Sequence, residues 1–181
     1  MKKLSHGGLA ALGTFLLISA VGWLLLHKKA SGGTARGPAA PPWNTTHEKV
    51  FLNEQLRRTP KHTPILQRLA QIERKEGDLA AARRLLEEAI RADGGQVDLR
   101  LELGLVCSEM GDVVAAEEQN REVLRLMPGQ PDALYNLGAI AANRGDTRQA
   151  RQYWMSAVAS GRSSAAAVKA LEGIQRLQAA R

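Results

Sequence analysis

Three sets of residues in this chain have side chains suited to catalysis, and their placement decides whether they could act. Cys107 could serve as a nucleophile if an imidazole lay close enough to take its proton. The histidines are His6, His27, His47 and His62, and all four lie outside the segment 63–164 that contains Cys107. Glu87-Glu88 and Glu117-Glu118 could divide acid and base roles if each pair converged on one point. Both pairs lie in helical patterns, where neighbouring residues point about 100° apart, so they diverge and read as solvated charges. No glycine-rich phosphate loop and no Cys/His set with metal-ligand spacing occurs. The sequence therefore points to a protein that is not an enzyme and uses no metal and no cofactor. Cys107 reads as a small buried apolar residue.

The elements that carry these residues are written three times. Positions 66–78 read LQRLAQIERKEGD, 100–112 read RLELGLVCSEMGD, and 134–146 read LYNLGAIAANRGD, at a constant interval of 34 residues. Units 63–96, 97–130 and 131–164 align without a gap. Position seven holds Leu69, Leu103 and Leu137; position eight holds Ala70, Gly104 and Gly138. Positions fifteen and sixteen hold Gly77-Asp78, Gly111-Asp112 and Gly145-Asp146, and position twenty holds Ala82, Ala116 and Ala150. A glycine there can end one helix in the left-handed conformation, and an aspartate can cap the next. The small residues let two antiparallel helices approach closely. Each unit predicts one helix pair that buries its apolar face only by stacking on its neighbours. Scarce aromatics, 4% of the chain, suit packed helices.

At these residues the chain resembles the tetratricopeptide repeat family. Leu134, Tyr135, Asn136, Leu137, Gly138, Ala150, Trp154 and Ala157 match its pattern, and Pro60 and Pro128 fall on its terminal proline position. The resemblance implies an all-α fold: a right-handed α-solenoid of about three repeats with flanking helices. Unit two departs from the pattern, with Arg100 at position four and Asn120 at position twenty-four, and is expected to pack less tightly than unit three. A helix at 46–58 stands in second-helix phase before the repeats. A capping helix at 164–179 follows them, expected to bury Val168, Leu171 and Ile174.

In proteins of the resembled family a peptide lies against the concave row of first helices. Carried over to this chain, the resemblance gives Gln67, Gln71 and Arg74 in unit one, Leu101 and Leu105 in unit two, and Tyr135, Asn136 and Ala139 in unit three. Leu101, Leu105 and Tyr135 are large apolar residues at positions that the core does not need, which suggests a partner surface. The family's carboxylate clamp is not expected, because Gln67, Glu102, Asp132 and Asn136 replace its basic residues. A helix or extended segment with apolar anchors is the expected partner.

The N-terminal quarter differs in kind. Residues 7–26 carry no charge, and twenty helical residues reach about 30 Å, the thickness of a bilayer core. Residues 1–29 therefore read as a single-pass membrane anchor, and 30–45, rich in Gly, Pro and Ala, as a linker to the repeat domain at 46–181. A short cytoplasmic tail before the span places that domain outside the cytoplasm, periplasmic in a bacterium. Of the net charge of +7, residues 1–43 contribute five basic residues and no acid, leaving +2 for the rest. That balance gives no reason to expect nucleic acid, although 147–181 is locally basic, six residues against Glu172. A membrane-tethered scaffold that assists assembly of an envelope or cytochrome complex is the leading expectation. The alternatives are self-assembly by stacking of terminal helices, and contact of the basic last helix with nucleic acid or acidic lipid.

Overall fold

The computed structural model describes residues 45–179, all within the second of the chain's two units, Trp43–Arg181. The span expected at 7–26 and, apart from Thr45, the linker expected at 30–45 lie outside the described residues. No described helix is long and apolar enough to cross a membrane. Among the described residues there are eight helices and no strand: α1 (Thr45–Arg58), α2 (Thr63–Glu76), α3 (Leu79–Ala92), α4 (Val97–Glu109), α5 (Val113–Leu126), α6 (Pro131–Asn143), α7 (Thr147–Ser160) and α8 (Ala165–Ala179). Each packs chiefly on its sequence neighbours, and α8 also packs on α6.

The turns inside the pairs form as the residue types require. Gly77, Gly111 and Gly145 adopt φ of +89°, +78° and +81° and close α2, α4 and α6. The aspartate that follows caps the next helix. Asp78 Oδ1 accepts from Ala81 N at 2.8 Å, Asp112 Oδ1 from Ala115 N at 3.1 Å, and Asp146 Oδ1 from Gln149 N at 2.9 Å. Asp112 also takes Arg83 Nη1 at 3.0 Å. The Ala115 amide first, and then Arg83, hold the Asp112 carboxyl below its ordinary range.

Packing inside each pair turns on positions eight and twenty-four. A Cβ at Gly138 would lie 2.4 Å from Trp154 Nε1, and one at Gly104 would lie 2.9 Å from Asn120 Nδ2. Ala82, Ala116 and Ala150 are fully buried beside them. Asn120 stands in unit two where Trp154 stands in unit three, and it is buried there. It is 1% exposed, its Nδ2 donates to Ala116 O at 2.7 Å, and its Oδ1 accepts from Asn136 Nδ2 at 3.0 Å. A buried amide is tolerated because both ends are satisfied. Arg100 is less well placed: it reaches Gln119 Oε1 and Gly94 O at 3.3 Å, but its Nε is buried without a partner.

Ion pairs from position twenty-one join successive units. Lys49 meets Glu73 and Glu76 at 2.8 Å, Arg83 meets Asp112, and Glu117 meets Arg144. Glu117 is thus not the solvated charge expected from its sequence, since its side chain is only 14% exposed. Partly exposed pairs of this kind add little stability.

The last helix buries only part of the face expected. Ile174 is half-buried against the core, but Val168 and Leu171 are exposed, and Ala166, Ala167, Ala170 and Gly173 are buried instead. Trp154 explains the choice. A Cβ at Gly173 would lie 2.8 Å from its Cη2 and Cζ3, so only a small-residue face can approach the indole.

Candidate partner-binding surface

The surface expected to meet a partner lies on the first helices α2, α4 and α6, at positions five, six, nine and twelve of each unit. On α2 this face is already committed to its neighbours. Gln67 Nε2 and Gln71 Nε2 both donate to Glu102 Oε1 at 2.8 Å, and Arg74 Nη1 donates to Glu109 Oε1 at 2.7 Å. Arg68 grips Glu48 of α1 through Nε at 2.6 Å and Nη2 at 2.9 Å. The Arg68 guanidinium holds the Glu48 carboxyl below its usual range. Three of the eight residues expected to meet a partner, Gln67, Gln71 and Arg74, thus form a polar lattice between α2 and α4.

The apolar part begins on α4. Leu101 is half-buried, and Leu105, one turn later, is 43% exposed. Ser108 continues the face and is exposed. On α6 the equivalents of Leu101 and Leu105 are Tyr135 and Ala139, both half-buried. Asn136 is half-buried, with its amide nitrogen given to Asn120. Tyr135 is walled by the last helix: Lys169 Nζ stands 5.9 Å from its ring centroid, within cation–π reach. Beneath it Trp154 Nε1 donates to the Tyr135 carbonyl at 3.1 Å. Lys169 and Asn120 were not among the residues expected here. Continuing the 34-residue register past 164 places Lys169 at position five, the position of Tyr135, and is the signal that finds it.

This arrangement offers apolar contact bordered by amides and a hydroxyl, with no proton-transfer machinery. Cys107 is 1% exposed, and burial pushes its thiol up from the ordinary value, the reverse of an activated thiolate. Among the described residues no cluster of His, Cys, Asp and Glu is arranged to hold a metal.

A family model described as tetratricopeptide repeat matches residues 73–120, less than half of the chain. Solved structures share the architecture. MamA is 14% identical, with a TM-score of 0.60 over 72% of this chain and 85% of that one. YrrB, described as a TPR protein with an unusual peptide-binding site, is 20% identical, with a TM-score of 0.62 over 71% of this chain and 66% of that one. A tetratricopeptide repeat protein from Parabacteroides merdae is 17% identical, with a TM-score of 0.65 over 75% and 54%. No curated protein matches the sequence. Residues 73–120 match the tetratricopeptide repeat, and the described residues have the all-helical tetratricopeptide-like solenoid fold.

Proposed function

We propose that this chain is a membrane-tethered, non-catalytic scaffold that holds a segment of a partner protein against the row of first helices. The supporting observation is Leu105, a large apolar residue left 43% exposed on that row. The polar neighbours on α2 already donate to Glu102 and Glu109, which favours an apolar anchor from the partner. The peptide-binding site named for the structurally similar YrrB is consistent with such a role. Tethering rests on the uncharged run 7–26, and an extracytoplasmic position for the repeats on the short tail that precedes it. Help in assembling an envelope or cytochrome complex is the process this architecture suits, by analogy alone.

The groove is tested by capture from native membranes with the full chain and a Leu101→Asp, Leu105→Asp variant. Loss of the captured partners with helicity retained supports the reading; an unchanged set of partners removes it. A C-terminal reporter active only outside the cytoplasm tests the orientation, and a silent reporter reverses it.

A further inference from the structure

The two outer helices are complementary halves of a repeat. α1 spans Thr45–Arg58, which are positions 17–30 of the 34-residue register, as are Leu79–Ala92, Val113–Leu126 and Thr147–Ser160. α8, Ala165–Ala179, begins at position one, as α2, α4 and α6 do. The described array is thus bounded by a second helix at one side and a first helix at the other. Laid against α8, the α1 of another copy would complete a pair and continue the solenoid head to tail.

Part of each face suits that union. Phe51 on α1, at position twenty-three, is 55% exposed, and Val168 on α8, at position four, is 51% exposed. These positions meet within a unit, where Arg100 at four donates to Gln119 at twenty-three at 3.3 Å. Leu171 adds further exposed apolar surface.

One residue on each face opposes it. At position eight the inner units hold Ala70, Gly104 and Gly138, and the space there excludes even a Cβ at Gly138. α8 holds Glu172 instead, with its side chain 56% exposed and its partner Arg176 in solvent at 3.4 Å. At position twenty the inner units hold the buried Ala82, Ala116 and Ala150. α1 holds Glu48 there, engaged with Arg68. Joining α8 to another copy's α1 in the repeat's own geometry would overpack the seam and strip water from two carboxylates.

We infer that Glu48 and Glu172 are end stops. They exclude a second copy from two faces that otherwise match, and so keep the chain from extending itself head to tail. Sedimentation velocity on the full chain, in one detergent and over a wide concentration range, tests this with Glu48→Ala, Glu172→Ala. Head-to-tail union is heterologous and open-ended, so the variant's weight-average mass should rise about twofold or more with concentration. Association through the N-terminal segment is common to both chains and forms the baseline. Glu172→Ala alone leaves Arg68–Glu48 intact and should shift the distribution in the same direction. Open-ended growth of the unaltered chain would overturn the inference, as would absence of growth in both variants with helicity retained.

Discussion

Trp154 Nε1 donates to the main-chain oxygen of Tyr135 at 3.1 Å, fastening the largest core side chain of unit three beneath its groove aromatic. The same indole fills the space over Gly138 and Gly173, so it ties α6, α7 and α8 together. Core and surface are coupled here: what loosens Trp154 also loosens Tyr135 and the helix that carries Lys169.

Gly138→Leu should therefore lower stability by about 1–3 kcal/mol through overpacking. Thermal unfolding followed by circular dichroism checks this. A melting transition unchanged from that of the parent chain contradicts the packing described.

The Asn120–Asn136 bond joins unit two to unit three through a fully buried amide. Asn120→Ala leaves the Asn136 donor without its acceptor and should cost about 1–3 kcal/mol. Asn136→Ala on its own should cost less, because its side chain is only half-buried. In a double-mutant cycle the two losses should fall short of additive by about 0.5 kcal/mol or more. Strict additivity in urea unfolding would show that the bond contributes nothing.

Arg68 depresses the Glu48 carboxyl in the folded chain, so the sign of its pH effect is fixed. A lowered folded value means that the ionised form favours folding above the unfolded carboxylate value. That contribution is lost as pH falls through the folded value. Glu48→Gln should melt earlier than the parent near neutral pH, and the gap should narrow as the solution is made acidic. Melting curves for both chains across that range decide the matter, and a gap that widens in acid refutes it.

Much of this architecture is written plainly in the chain. The Gly-Asp pairs at 77–78, 111–112 and 145–146 specify turn and cap together, because one residue tolerates positive φ and the next offers an acceptor. Small residues at positions eight and twenty predict the close helix contacts for the same local reason. What the sequence hides is the choice of partner for long polar side chains. Gln67, Gln71 and Arg74 look free to meet a ligand, yet their acceptors lie 31 to 35 residues away on α4. Asn120 looks like a defect until Asn136, from the following unit, supplies its second bond. On α8 the long apolar residues Val168 and Leu171 stay exposed, because Trp154 admits only the small-residue stripe that ends at Gly173.

The most direct measurement of partner binding places a photo-crosslinking residue at Leu105 of the full chain in native membranes, with the same residue at exposed Glu118 for comparison. The account predicts discrete crosslinked polypeptides from position 105, none from position 118, and their loss when Leu101→Asp is added. Equal capture from both positions, or capture that survives Leu101→Asp, would contradict it.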